Sequence, residues 1–131
     1  MAQSGSIRVV SKRKGGIAAA AHETLIDADR NNPLLGNRHI LRNHRDAKER
    51  AQVIAAHGHD LAIDLANHGP IDRLLDQLAE RVRSGEHIAL ACWCSPRPCH
   101  ADRYAAIIAE RAGLPIPQAI EPGLFAAQQD I

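Results

Sequence analysis

The stretch HIALACWCSPRPCHADRYAAIIAERAG, residues 87–113, decides the fold of this chain. It opens with a run of small apolar residues, passes through a proline-containing turn, and continues with apolar residues at helical spacing up to Gly113. An uninterrupted apolar run is typical of a strand that is covered on both faces, as in a parallel sheet. The stretch therefore predicts a strand over residues 87–94 and, after the turn, a helix over residues 101–112.

The chain before this stretch has the same mixture of strands and helices. Residues 6–10 and 23–28 are short and β-branched, which predicts two further strands. Residues 46–67 predict a helix with a break near Gly58 and an apolar stripe formed by Ala47, Ala51, Ile54, Leu61 and Leu65. Residues 71–83 predict a second helix that ends before Ser84 and Gly85, with one apolar face formed by Ile71, Leu74, Leu75, Leu78 and Val82. This order indicates a layered α/β domain.

Composition narrows the class of protein. A chain of 131 residues suits one domain, and we expect residues 1–131 to form it, with a core over about 6–112 and an irregular tail over 113–131. No apolar segment approaches the roughly 20 residues that span a bilayer, so no membrane role is expected. The first residues lack the features of a secretory signal, which favours a cytoplasmic protein. A net charge of +1 identifies no partner, although local basic clusters leave nucleic acid open.

The cysteines are the main chemical signal. All 3 cysteines of the chain lie between residues 92 and 99, and His100 follows directly. Because side chains alternate along a strand, Cys92 and Cys94 point to one face and Trp93 points to the other. We expect Trp93 to pack beneath a helix, with stacking on a base or another ring as the alternative. Cys99 and His100 lie at the start of the following helix, where backbone N–H groups favour an anion or a thiolate.

Three interpretations of this cluster stay open. The first is a zinc site formed by Cys92, Cys94, Cys99 and His100. The second is a reactive site in which Cys99 is the thiolate, His100 is the acid or base, and Asp102 orients His100 or stabilises the helix. The third is that the cysteines only fill the core. In the same turn, Arg97 is a candidate ligand for phosphate.

Two segments resemble the signatures of a known family. CWCSPRPCHAD (residues 92–102) and IDADRNNPLLGN (residues 26–37) are similar to the two motifs of domain-of-unknown-function family 4326, small proteins of bacteria and phages. The resemblance covers about residues 6–112 and implies a small Rossmann-like three-layer α/β domain with a mainly parallel sheet. It also implies that both motifs meet at one site. The site residues that it carries over are Arg30, Asn32, Gly36 and Asn37 from one motif, and Cys92, Cys94, Cys99, His100 and Asp102 from the other.

Two functions are consistent with these residues. One is a nucleotide- or nucleobase-related ligand-binding domain, acting as a small enzyme whose chemistry lies at Cys99 and His100. In that case Asp102 orients the catalytic pair, while Arg30 and Asn37 position the substrate. The other is a non-catalytic interaction module, stabilised by zinc or by thiols, that binds nucleic acid or protein.

Overall fold

The computed structural model of the protein describes residues 4–13, 15–29, 31–37, 39, 42–43, 45–93 and 99–115. In chain order its elements are β1 (Ser6–Ser11), β2 (Thr24–Asp27), α1 (Ala47–Ala66), α2 (Pro70–Arg83), β3 (His87–Cys92) and α3 (Ala101–Ala112). Among the described residues, no helix has both the length and the apolar composition needed to cross a membrane. Most of the predicted irregular tail over residues 113–131 lies outside the described residues, which end at residue 115.

The strands form a parallel sheet in the order β1-β3-β2. Ser6 of β1 pairs with His87, and Thr24 of β2 pairs with Ile88. β3 is thus the central strand, and its residues from Ile88 to Cys92 are all buried. This position explains the uninterrupted apolar run, because a central parallel strand is shielded on both faces. The α/β class and the parallel sheet are confirmed.

The two faces of the sheet are covered differently. Ile88, Leu90 and Cys92 of β3 belong to the main buried cluster, to which all three helices contribute. Ala89 and Ala91 belong to a second, smaller cluster on the opposite face, where the loop residue Ala19 packs. In the described part of the chain, all three helices contribute to the first cluster and a loop lies on the opposite face, because the described residues between β1 and β2 form no helix. The three-layer arrangement stays a prediction.

Helix α1 differs from the prediction in two respects. It continues through Gly58, because a glycine inside a helix costs only about 1 kcal/mol. The absence of a side chain there makes room for the Arg103 side chain of α3, whose Cζ would lie 2.8 Å from a Cβ at position 58. The buried residues of α1 are Arg50, Ile54, His57 and Leu61, whereas the predicted stripe began with Ala47 and Ala51, which are exposed.

The remaining elements follow the sequence closely. α2 begins at Pro70 and ends at Arg83, and the Asp64 carboxylate accepts hydrogen bonds from two N–H groups of its first turn. α3 has the predicted bounds and ends where Gly113 adopts a left-handed conformation with φ 77°. The strands differ by one or two residues at their ends, and β3 stops at Cys92 instead of residue 94.

Candidate functional site

The carboxyl ends of the parallel strands carry a group of polar and aromatic side chains. Lys12 follows β1, Asp27 ends β2, Asp29 follows it, and Trp93 follows β3. The Lys12 Nζ lies 2.8 Å from a carboxylate oxygen of both Asp27 and Asp29. The Trp93 Nε1 donates a hydrogen bond of 3.1 Å to Asp29 Oδ2. We call these residues (Lys12, Asp27, Asp29 and Trp93) the Trp93 edge.

The Trp93 edge is charged at neutral pH. Burial would raise the pKa of Asp29, but hydrogen bonds from Lys12, from the Asn31 backbone N–H and from Trp93 outweigh it and lower that pKa. The hydrogen bond to Asp27, followed by the one to Asp29, raises the pKa of Lys12. Within the four described residues of the Trp93 edge, one ammonium group therefore faces two carboxylates.

Trp93 is 53% exposed, so the prediction that it packs in the core is wrong. By strand alternation Trp93 continues the face of Ala89 and Ala91, and in the described residues that face is covered by a loop instead of a helix. The hydrogen bond to Asp29 holds its indole ring at the edge of the sheet. An exposed and anchored tryptophan beside the ends of parallel strands is a surface on which a planar ring can stack.

Behind the Trp93 edge lies a buried thiol–imidazole cluster formed by Cys92, Cys99 and His100. The Sγ atoms of Cys92 and Cys99 are 3.0 Å apart, and Cys99 Sγ is 3.5 Å from His100 Nδ1. His100 Nε2 lies 2.6 Å from the backbone oxygen of Ala28. Because a carbonyl oxygen only accepts, Nε2 carries the hydrogen, and in the neutral imidazole Nδ1 then presents its lone pair to the thiol. Both cysteines are only 1% exposed.

The two sequence motifs meet at Ala28 and Asp29. His100 of the second motif binds the Ala28 carbonyl, and Trp93 of that motif binds the Asp29 carboxylate. The thiol–imidazole cluster and the Trp93 edge are therefore attached to adjacent residues of the first motif. This junction lies at the carboxyl ends of the strands, where ligands of open α/β sheets bind.

The asparagines of the first motif shape the loop. Asn32 Oδ1 accepts hydrogen bonds from the backbone N–H groups of Leu34 and Leu35, each 3.0 Å long, and Gly36 N donates to Asn32 O at 2.9 Å. Asn37 Oδ1 accepts from the backbone of His39 at 2.8 Å. These are turn-forming contacts of the kind that Asn side chains make with nearby backbone. Contact of Asn32, Gly36 or Asn37 with a ligand stays a prediction.

Asp102 stabilises the beginning of α3. Its Oδ2 accepts a hydrogen bond of 3.0 Å from the backbone N–H of Cys99, and its own N–H donates to the Cys99 carbonyl oxygen at 3.0 Å. This reciprocal contact resembles a capping box. Asp102 therefore fixes Cys99 at the start of the helix, which is the helix-stabilising role among its two predicted roles.

A histidine on α1 that was not predicted from the sequence, His57, contacts the cluster. His57 Nε2 lies 2.6 Å from Tyr104 Oη, and the His57 and His100 rings have centroids 4.9 Å apart. Burial, followed by the charges of His100 and Arg103, lowers the pKa of His57 to about 4. Burial also raises the pKa of Tyr104. Near neutral pH, His57 is therefore uncharged and Tyr104 keeps its proton.

A signal for this α1 face was present in the sequence. Arg50 and His57 lie on the same helical face as Ile54 and Leu61, and all four residues are buried. Polar residues on an apolar stripe indicate buried polar contacts, because an unpaired buried group is destabilising. The His57 Nδ1 atom is buried and has no hydrogen-bond partner among the residues that the structure describes.

Of the four predicted zinc ligands, the structure describes Cys92, Cys99 and His100. Within the described residues, no group of three or more His, Cys, Asp and Glu side chains has a geometry that could hold a metal ion. Cys94, the remaining candidate ligand, lies outside the described residues, as do the predicted ligand-binding residues Arg30 and Arg97. Zinc binding therefore stays a prediction.

Comparison with known proteins gives a family. A family model described as Domain of unknown function (DUF4326) matches residues 9–110, a range that includes the two motif segments, residues 26–37 and 92–102. No curated protein and no solved structure matches the chain. The closer Rossmann-like classification of the fold accordingly stays a prediction.

Proposed function

The chain belongs to domain-of-unknown-function family 4326, and we propose that it is a nucleotide- or nucleobase-related ligand-binding domain. In this proposal a planar base stacks on Trp93 at the carboxyl edge of the sheet. The Cys99–His100 pair behind that edge supplies the chemistry of a small enzyme. The protein is cytoplasmic in this proposal, because reduced thiols persist in that compartment.

The exposed indole of Trp93 is the single observation that carries the proposal. The residue is 53% exposed, yet its indole N–H donates a hydrogen bond to Asp29, which orients the ring before any ligand binds. A fixed ring loses little conformational freedom when a ligand binds. Stacking of a base on an aromatic side chain contributes about 1–3 kcal/mol and accepts any base, which suits a nucleobase-related ligand.

The Cys99–His100 contact supports a catalytic role for the same site. The bond from His100 Nε2 to the Ala28 oxygen orients the imidazole so that Nδ1 faces Cys99 Sγ. A thiol, a base and a group that orients the base are the parts of an activated nucleophile. Because Cys99 is 1% exposed, a ligand must open the cluster to react at sulfur. Asp102 acts here as a positioning residue through the Cys99 backbone.

The chain offers a direct test, because Trp93 is its only tryptophan. Titration with nucleosides and with nucleoside mono- and diphosphates is expected to quench the tryptophan fluorescence in a saturable manner. Calorimetry on a Trp93→Leu variant is then expected to show affinity weakened by about tenfold or more. Leu25→Ala is the matched control, because Leu25 is 54% exposed and lies in the middle of β2.

Two results would contradict the binding proposal. One is that no nucleoside or nucleotide changes the fluorescence or the heat of mixing. The other is that a ligand binds Trp93→Leu as tightly as it binds the Leu25→Ala control. The catalytic part is tested separately with Cys99→Ser and His100→Asn. If the wild-type protein converts a bound ligand, we expect both variants to lose this conversion. Conversion that survives in both variants would exclude Cys99 and His100 as the catalytic residues.

The alternative function is a non-catalytic module stabilised by zinc or thiols that binds nucleic acid or protein. The observation that favours it is the His100 contact, because metal-bound histidines usually donate their second N–H to a carbonyl or carboxylate. Elemental analysis of protein purified without added zinc distinguishes this function from the proposed ligand-binding enzyme. One zinc per chain, lost in Cys94→Ser together with stability, would favour the alternative.

A further inference from the structure

Cys92 and Cys99 are placed as a pair by the tertiary structure. Cys92 ends β3 and Cys99 precedes α3, and both side chains are part of the main buried cluster. Their Sγ atoms are 3.0 Å apart, whereas the sulfur atoms of a disulfide are about 2.05 Å apart. A movement of the two Sγ atoms towards each other by about 1 Å therefore brings them to bonding distance.

We propose that Cys92 and Cys99 form a redox-active dithiol that a hydroperoxide converts to an intramolecular disulfide. The proposal is independent of base stacking at Trp93, because it needs only the two thiols and the imidazole beside them. In this proposal Cys92, for which the sequence predicts a zinc ligand or a core residue, resolves an oxidised Cys99.

The chemistry takes place in two balanced steps. In the first step Cys99 sulfur attacks one oxygen of the hydroperoxide, the O–O bond breaks, and Cys99 becomes a sulfenic acid. His100 Nδ1 accepts the thiol proton and returns it to the departing oxygen, which leaves as water or an alcohol. In the second step Cys92 sulfur attacks Cys99 sulfur, and the hydroxyl leaves as water with the Cys92 proton. The two thiols lose two electrons and the peroxide gains them.

The burial of the pair determines which oxidants react. Both cysteines are 1% exposed, so an oxidant must enter when the cluster opens, and hydrogen peroxide and small alkyl hydroperoxides are expected to enter more readily than bulky disulfide reagents. His100 Nδ1 lies 3.5 Å from Cys99 Sγ, where it can accept the proton of that thiol. Cys99 is therefore the sulfur that attacks first in this proposal, and Cys92 is the sulfur that closes the bond.

The experiment uses the full chain with Cys94→Ser, which leaves Cys92 and Cys99 as its cysteines. The protein is treated with hydrogen peroxide, blocked with iodoacetamide and cleaved with chymotrypsin without reduction. Cleavage after Trp93 separates Cys92 from Cys99, so their peptides stay together only through a disulfide. The expected result is a cross-linked pair that a reductant releases, and the loss of both alkylated thiols.

Two variants provide the controls. Cys92→Ala in the Cys94→Ser background is expected to give no cross-link and to accumulate sulfenic or sulfinic acid at Cys99. The disulfide of the oxidised wild-type protein is mapped in parallel, so that the result does not depend on the Cys94→Ser substitution. Fragmentation of the peptide that carries residues 94–104 shows whether Cys94 or Cys99 is the cross-linked residue. The proposal is overturned if Cys99 is oxidised without cross-linking to Cys92, if neither thiol is oxidised, or if the wild-type cross-link joins Cys94.

Discussion

His57 makes the stability of this protein dependent on pH. Its side chain is on the buried face of α1, contacts Tyr104, and is 5% exposed. The charged and titratable groups that affect it are His100, Arg103, Asp60 and His39. Burial, together with the charges of His100 and Arg103, lowers the pKa of His57 from 6.5 to about 4 in the folded protein.

The direction of the effect follows from proton binding. Between pH 6.5 and about 4 the unfolded chain binds a proton at this histidine while the folded protein does not. The free energy of unfolding therefore falls as the pH falls through this window, and this contribution levels off below about pH 4. Lowering the pH from about 7 to about 5 is expected to remove about 1–2 kcal/mol that belongs to His57 alone.

Urea unfolding of the wild type and of His57→Gln at both pH values measures this contribution. Glutamine keeps a hydrogen-bonding group but does not titrate, so we expect the variant to lose less stability on acidification than the wild type. His59→Gln is the control, because His59 is an exposed residue of the same helix. Equal losses in the wild type and in His57→Gln would refute the argument, whatever the absolute stability of the variant.

Three further substitutions test contacts near the site. Tyr104→Phe removes a buried hydroxyl that is bonded to the α1 imidazole, and it is expected to lower the free energy of unfolding in urea by about 1–3 kcal/mol. Gly58→Ala is expected to gain less than the roughly 1 kcal/mol usual in a helix. The new Cβ would meet Arg103, and Arg103→Ala combined with it should restore the gain in thermal unfolding. Asp102→Ala is expected to cost about 1 kcal/mol, because the Cys99 N–H loses its carboxylate, and Asp102→Asn should cost less.

Local sequence patterns predicted the elements whose ends have strong local signals. The bounds of α3 follow from its apolar spacing and from Gly113, which adopts the left-handed conformation that ends a helix. The central position of β3 follows from its apolar run. The prediction of the buried face of α1 was less accurate, because alanines fit an exposed face as well as a buried one. The predicted stripe included Ala47 and Ala51 and left out Arg50 and His57, which lie on the buried face with Ile54 and Leu61.

The sequence also placed part of the candidate site. It identified Cys99 and His100 at the start of a helix that follows a parallel strand, and the structure has them there. It did not identify His57 as a neighbour of His100, since 43 residues separate them and no local pattern connects the two helices. It placed Trp93 in the core, because alternation gives the face on which a side chain lies but not what covers that face.

The sequence by itself determined the alternation of strands and helices, the parallel sheet and the position of the cysteines at a strand-to-helix turn. These features depend on hydrophobic periodicity and on residues with restricted backbone conformations, both of which act over a few neighbouring residues. Tertiary structure alone decided that Cys92 pairs with Cys99, that His100 binds the Ala28 carbonyl and that Trp93 is exposed. Those contacts depend on strand order and on the cover of the second face, which in the described residues is a loop, and both are set by packing between residues distant in the chain.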